Sequence, residues 1–285
     1  MEYGKKILTY RNYIVFEKFA TPYFRRAPKE FFENEACFIF INEGRFSVRA
    51  QTAYHNLDRE SAILAKCQNF FFETDETQRN SSEGIEVTGV LLYPQLVEEL
   101  FQFELSAYSY TVDYTLKQVQ VDALLANFRE SINILLDHPE LADEAMIKTK
   151  LKEFVLLISK SQDAPSHLDF LSAMFKPAHI DFKATIAQNI YSSLSLDELA
   201  ALCHMSASSF KRRFKEVFGE SPAKFISQQK TRRAAELLST PDLRVSEIAY
   251  ASGFETIASF NRNFKAQFGV SPTEYRLTQI AKGLT

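Results

Sequence analysis

Cysteine, histidine and long apolar runs are all scarce in this chain, and each scarcity excludes something. The 285 residues hold three cysteines, Cys37, Cys67 and Cys203. Their spacing is neither paired nor CxxC, so a disulfide framework is not expected and the reduced thiols of a cytoplasmic protein are. Cys203 lies in an apolar helical stretch and reads as a small core residue. No run of 18 apolar residues occurs and no secretion signal precedes the first strand pattern, so no membrane span is expected. Residues 1–130 contain one histidine, His55. Open first-row metal sites are held by imidazole and oxygen ligands, so no metal site is expected there. Nucleophile elbow, P-loop and dinucleotide fingerprint are all missing. No catalytic residue, metal or cofactor is predicted, and the chain is not expected to be an enzyme.

Charge is present but unevenly shared. The formal net charge is −3, yet from residue 183 to the end there are 14 Lys/Arg against 9 Asp/Glu, a net of +5. The first 182 residues hold 19 against 27, a net of −8. A cationic C-terminal module on an acidic body is the asymmetry expected of a DNA reader with a separate sensing part.

The strongest local pattern lies at residues 206–219. Phe210, Phe214, Val217 and Phe218 recur at helical spacing, and Ser208, Lys211, Arg212 and Lys215 fall on the opposite side. Ser206 is placed as an N-cap and Gly219 where a helix stops. Alone, a basic helical face is as readily an ordinary solvated surface. Upstream, however, Ser195 and Glu198 form a capping box, opening a helix with Leu196, Leu199, Ala200 and Leu202 inward. A tight turn at 204–206 follows, giving helix, turn and basic helix, the helix-turn-helix pattern. The pattern recurs: Phe210, Arg212, Phe214, Lys215, Phe218, Gly219, Ser221 and Pro222 are echoed fifty residues later by Phe260, Arg262, Phe264, Lys265, Phe268, Gly269, Ser271 and Pro272. The preceding helices match at an offset of forty-nine, Glu198-Leu-Ala200 against Glu247-Ile-Ala249. The second turn therefore carries one extra residue.

Residues 247–254, followed by 259–272 and then Tyr275-Arg276, closely resemble the AraC/XylS family signature, and the resemblance covers roughly residues 180–281. It implies a bacterial transcription regulator with a seven-helix DNA-binding domain of two helix-turn-helix subdomains, most members activating by contact with RNA polymerase. His204 and Met205 depart from the second repeat, which has Gly253, Phe254 and Glu255. An alkyl-transferring variant of the family would need a zinc-holding cysteine cluster, which this sequence lacks.

Residues 1–112 read as β-rich, with short aromatic or β-branched runs at 13–16, 36–41, 45–50, 61–64, 69–73 and 85–93. Asn42-Glu-Gly44 reads as a hairpin turn. Many short strands suggest a small barrel or jelly roll, similar to the cupin-like sensor half of the same family. Thirteen of the 26 Phe precede residue 110. They either fill the barrel or line a pocket for a small organic effector, and a partner protein is the other form of control. Residues 113–162 read as a helical hairpin. One stripe is Val119, Leu124, Leu125, Phe128, Ile132, Leu135 and Leu136; the second is Met146, Leu151, Phe154, Val155 and Ile158. Its apolar faces need a partner, either the β domain of the same chain or a second copy in a homodimer. Residues 163–180 read as a linker.

The expected fold is thus α+β: a cupin-like β-barrel or jelly roll with a helical hairpin, then an all-α tandem helix-turn-helix domain over 181–285 with motifs near 196–218 and 245–268. The expected function is a cytoplasmic, sequence-specific regulator binding double-stranded DNA. A protein-binding adaptor and a β-domain enzyme fused to a DNA module are the competing classes. Base-reading positions are Ser208, Lys211 and Arg212 in the first head and Ala258, Asn261 and Arg262 in the second. Lys215, Lys265, Arg276, Ser206 and Thr256 are placed for phosphates.

Overall fold

The structure, a computed structural model, describes residues 4–24, 35–66, 70–74, 84–176, 181–238 and 243–283, with the backbone alone from 280. It divides into two compact units, residues 1–179 and 180–285.

The first unit holds strands β1 (Lys5–Tyr10), β2 (Tyr13–Thr21), β3 (Ala36–Glu43), β4 (Phe46–Arg49), β5 (Tyr54–Leu57), β6 (Ser61–Ala65), β7 (Phe71–Glu73), β8 (Ile85–Leu92) and β9 (Leu116–Gln120). They form a six-stranded sheet in the order β1-β2-β8-β3-β6-β9 and a three-stranded sheet, β5-β4-β7, paired antiparallel. Successive side chains alternate faces. From β3, Cys37, Ile39 and Ile41 therefore enter a core shared with Phe46, Val48 and Leu57 of the small sheet. Phe38 and Phe40 enter a second core beneath the helices. Both faces of the large sheet are covered, and β3 is buried from Ala36 to Asn42. Of the phenylalanines of the strands and their connections, Phe16, Phe38 and Phe40 lie in the helix-side core and Phe46 and Phe70 in the other.

Three helices cover the outer face: α1 (Pro94–Phe101), α2 (Ala123–Asp137) and α3 (Glu144–Ser161). Asp122 and Asp143 cap α2 and α3 by accepting from the Leu125 and Met146 backbone N–H groups. Leu125, Phe128, Ile132, Leu135 and Leu136 of α2, and Leu151, Phe154, Val155 and Ile158 of α3, are buried against the sheet. Polar ties fix α2 in place. Asn42 donates to Thr88 Oγ1 at 2.8 Å, and Thr88 donates to Asn133 Oδ1 at 2.6 Å. Lys6 and Lys18 each donate to Asp137 at 2.7 Å. Burial works against the Asp137 carboxylate, but these hydrogen bonds outweigh it and hold its pKa below the usual range.

Several expectations are corrected here. Of the two partners left open for the hairpin stripes, the chain's own core takes Leu125 and Phe128. Leu124, Ile134, Met146 and Leu156 point outward instead. Val119 lies not on a helix but in β9, which adds an edge to the large sheet through β6. Asn42-Glu-Gly44 is not a hairpin turn, because β3 and β4 lie in different sheets. It is a corner, and Gly44 at φ +79° packs so closely on residue 84 that a Cβ would sit 2.6 Å from the Gly84 carbonyl oxygen. The expected linker carries α4 (His167–Phe175), whose Phe170, Leu171 and Met174 join the helix-side core. Cys67 lies outside the described residues.

Candidate nucleic-acid interface

The second unit has seven helices among its described residues: α5 (Phe182–Asn189), α6 (Leu196–Leu202), α7 (Ala207–Phe218), α8 (Pro222–Leu238), α9 (Val245–Ala251), α10 (Ile257–Phe268) and α11 (Pro272–Gly283). The repeat seen in the sequence is a repeat of structure, and it extends further than the sequence showed. Phe182, Thr185, Ile186 and Asn189 are the buried face of α5. Forty-nine residues on, Thr231, Ala234, Ala235 and Leu238 are buried on α8. The last half of α8 is therefore the scaffold helix of the second head. Its first half, through Phe225, packs on the first head.

Each reading helix is built by the same devices. Ser206 accepts from the Ser209 N–H to start α7, and Thr256 accepts from the Ser259 N–H to start α10. Satisfying one otherwise unpaired donor in this way contributes roughly 1 kcal/mol. Gly219 at φ 78° and Gly269 at φ 79° end the helices, their N–H groups returning to the Lys215 and Lys265 carbonyls at 2.9 Å. Neither glycine is crowded, so the left-handed backbone alone accounts for the choice. Inside, the rings superimpose as a pattern. Phe214 lies 4.5 Å from Phe218 and Phe264 lies 4.7 Å from Phe268, centroid to centroid. Phe225 closes the first ladder at 5.6 Å from Phe214, and Tyr275 closes the second at 5.3 Å from Phe264. Burying one aromatic face of each helix forces the other face outward.

That outward face carries the residues singled out for DNA. Ser206, Ser208, Lys211, Arg212 and Lys215 are exposed on α7, and Thr256, Ala258, Asn261, Arg262 and Lys265 on α10. Among the described residues no side-chain hydrogen bond or ion pair engages Lys211, Arg212, Lys215, Arg262 or Lys265, so their charges face solvent. Arg213 is exposed too, 3.6 Å from Glu216. Ser206 spends its hydroxyl on capping and on the Ser208 and Ser209 hydroxyls, each at 3.1 Å. Arg276 stands apart. It lies on α11, half-buried, with Nε and Nη2 shielded and without a partner among the described residues.

The turns differ. Backbone bonds pair Cys203 with Ser252, His204 with Gly253 and Met205 with Phe254: Met205 N–H bonds Ala200 and Phe254 N–H bonds Ala249, at 2.9 and 3.0 Å. Glu255 is therefore the extra residue. His204 holds φ 53° and Gly253 φ +87°. At Gly253 a Cβ would lie 2.3 Å from the Tyr191 carbonyl oxygen, so only glycine fits. Cys203 is buried, and burial pushes its thiol up to about 12, which makes it an inert packing group.

Four side chains that the sequence reading passed over hold the second head. Asn263 donates to the Ser259 carbonyl at 2.8 Å and accepts from Ser227 of α8 at 2.8 Å. Lys230 donates to the carbonyls of Ser192 at 2.9 Å and Gly253 at 2.7 Å. The Arg233 guanidinium lies 4.6 Å from the Tyr191 ring centroid. A polar residue on a helix otherwise read by its apolar period carries no such signal. Gly253, standing where the first repeat has histidine, was the only hint. Elsewhere, no group of three or more His, Cys, Asp or Glu able to hold a metal occurs among the described residues, and no helix of the described residues is long and apolar enough to cross a membrane.

Residues 199–278 match a family described as a helix-turn-helix domain, and residues 36–170 match the ExsA N-terminal regulatory domain. The chain is 34% identical over 74 residues to the uncharacterized HTH-type transcriptional regulator YfiF of Bacillus subtilis (strain 168), covering 26% of this chain and 24% of that protein. It is 31% identical over 106 residues to the HTH-type transcriptional regulator AlkR of Acinetobacter baylyi, covering 36% of this chain and 35% of that protein. These matches thus span about a quarter to a third of the curated relatives' own length. Among solved structures, unsaturated fatty acid bound wild-type ToxT from Vibrio cholerae matches at 18% identity and a TM-score of 0.40, covering 94% of this chain and 97% of that one. A tandem helix-turn-helix domain of AraC type thus follows a half that matches a regulatory domain, and in these parts the chain is similar to HTH-type transcriptional regulators.

Proposed function

We propose that this chain is a cytoplasmic, sequence-specific DNA-binding transcription regulator that lays α7 and α10 into successive major grooves. The observation that carries this reading is the doubled presentation: two capped helices on one scaffold, each with an aromatic face buried and with cations, Lys211, Arg212 and Lys215 on one and Arg262 and Lys265 on the other, on its solvent-facing side. In this reading Arg212, Arg262, Lys211, Asn261, Ser208 and Ala258 meet base edges. Arg suits guanine O6/N7, Asn suits adenine N6/N7, and Ala suits a thymine methyl. Lys215 and Lys265, with the capped helix starts at Ser206 and Thr256, meet phosphates. The test is enrichment of duplexes from a randomised library by the full chain, then binding across a salt series. A single preferred sequence and a linear loss of affinity with salt support the reading; no enrichment and no salt dependence overturn it in favour of a protein-binding adaptor.

The same reading sets a geometry. α8 has 17 residues, so at about 1.5 Å per residue it is about 25 Å long. Successive major grooves on one face of straight duplex lie about 34 Å apart. Docking both heads therefore bends the DNA toward the protein. Gel mobility with circularly permuted sites should show the bend, and straight DNA with both heads footprinted contradicts it.

Activation through RNA polymerase and control by a small organic effector or a partner protein at the N-terminal domain complete the proposal, and promoter-reporter assays separate activation from repression. A homodimer, if formed through the hairpin, uses its outward side, with Leu124, Ile134, Met146 and Leu156. Leu124→Glu with Ile134→Glu should then give folded monomers in sedimentation, whereas Leu125→Glu with Phe128→Glu should unfold the domain. A wild type already monomeric at micromolar concentration removes the dimer from the proposal.

A further inference from the structure

Lys230 sits where α8 passes from one head to the other. Upstream on the same helix, Phe225 packs on Phe214 and Phe218 of the first head, at 5.6 and 4.7 Å between centroids. Downstream, Ala234, Ala235 and Leu238 pack with Ile248, Ala249, Phe260 and Phe264 of the second. The ammonium between them donates to two backbone carbonyls from different heads: Ser192, in the connection from α5 to α6, at 2.9 Å, and Gly253, in the second head's turn, at 2.7 Å. Hydrogen bonds from a charged donor are the stronger kind.

Independent contacts converge on the same seam. Gly253 lies so close to Tyr191 that an added Cβ would meet the Tyr191 carbonyl oxygen at 2.3 Å and its carbon at 2.7 Å. Arg233, three residues beyond Lys230, covers the Tyr191 ring, and Ser227, three residues before it, holds Asn263 of α10. In the first head the position equivalent to Gly253 is His204, which keeps a side chain at φ 53°. Burial lowers the Lys230 pKa, while the charge of Glu255 favours the ammonium. Glu255 is also the residue by which the second turn exceeds the first, so the insertion and the half-buried cation belong to one arrangement.

We propose that Lys230 is a positioning residue which locks the angle between the two reading helices and so sets the spacing of half-sites that the protein accepts. The idea rests on the DNA-reading function above. It makes the DNA-binding unit a rigid ruler, in which Lys230 touches no base or phosphate yet decides whether both heads dock together. Without the lock, each head still fits its own half-site, but the pair no longer prefers one separation.

The test uses the full chain and a duplex that it selects from a randomised library, with one base pair inserted between the halves or removed. Wild type should lose about tenfold or more in affinity with either change, equivalent to about 1.4 kcal/mol. Lys230→Met, which keeps the apolar stem, should bind the native spacing more weakly and the altered spacings nearly as well, narrowing the ratio to about twofold. Lys230→Arg should restore the wild-type ratio, since a guanidinium reaches both carbonyls. A second measurement covers a misfolded Lys230→Met: bioorthogonal labels at the exposed Glu216 and Gln267 report the separation of the heads without DNA. The distribution should be narrow in wild type and Lys230→Arg, and broad in Lys230→Met or, should that variant misfold, in Gly253→Ala. Unchanged spacing ratios with unchanged label widths overturn the lock. If wild type enriches no sequence, the DNA-reading function fails, and the label widths still decide whether Lys230 fixes the heads.

Discussion

The two heads of the C-terminal unit are the same construction put to unequal use. Their caps, ring ladders and terminal glycines match nearly position for position. They differ in charge and in how their turns are held. Residues 206–219 carry four cations and one anion, a net of +3, whereas residues 255–269 carry two and one, a net of +1. The first turn tolerates a histidine at φ 53°, while the second is a glycine pressed on the neighbouring backbone and tied by a lysine. The contrast teaches that packing fixes the aromatic face of a reading helix and leaves its outer face and its turn open to divergence. The first reading helix carries the greater charge, and the second head's turn is the more tightly held.

The largest contrast between the heads should appear in stability. Gly253→Ala must force the turn off Tyr191 and hold a Cβ at a left-handed backbone, costing about 2–4 kcal/mol. His204→Ala, at the equivalent position with a side chain already accommodated, should cost less than about 1 kcal/mol. Hydrogen exchange in the full chain, of the α6 and α7 amides for His204→Ala and of the α9 and α10 amides for Gly253→Ala, measures both, and equal costs would erase the distinction between the turns.

Binding comes next. Arg212→Ala should cost about 1–3 kcal/mol on a selected duplex and relax preference in one half of the site. Arg262→Ala should cost less, because the second head brings less charge and presents Ile257 and Ala258 near its start. A greater loss of specificity from Arg262→Ala reverses the ranking of the heads. Smaller still, Lys215→Ala should weaken all sequences alike and reduce the salt slope by about one unit. An effect confined to one sequence would move Lys215 from phosphate to base contact.

The smallest effect is a null in the first head. Because the Cys203 thiol is buried and pushed up to about 12, native protein at pH 8 should resist alkylation there. A folded pKa above the unfolded one means that the protonated, unreactive form prevails up to the folded value, so labelling should appear only on unfolding. Rapid native labelling, read by peptide mass mapping, contradicts that packing.

How much of this was legible in the sequence depended on whether a signal was local. Ser195 with Glu198, Ser206, Gly219 and Gly269 are read within one turn of helix, and each sits where its chemistry places it. The repeat doubled that information and located the extra residue in the second turn. The amphipathic stripes at Leu125, Phe128 and Phe154 announced burial, but an apolar face does not name its partner, and here the partner is the large sheet. Residues 116–120 alternate too weakly to be read as a strand and become one by pairing with β6. The corner at Gly44 resembles a hairpin turn because both need a left-handed glycine. Lys230 was invisible for a related reason: its two carbonyl partners are 38 and 23 residues away in sequence, and backbone carbonyls leave no mark on residue type.

The most direct test of the central claim, that the heads read separate halves of one site, is a base-by-base specificity profile of wild type, Arg212→Ala and Arg262→Ala on the same selected duplex at fixed salt. The account predicts that Arg212→Ala flattens preference over one cluster of base pairs and Arg262→Ala over another, about one helical turn away. If both variants flatten the same base pairs, or neither changes the profile, then the two faces do not read DNA as paired heads.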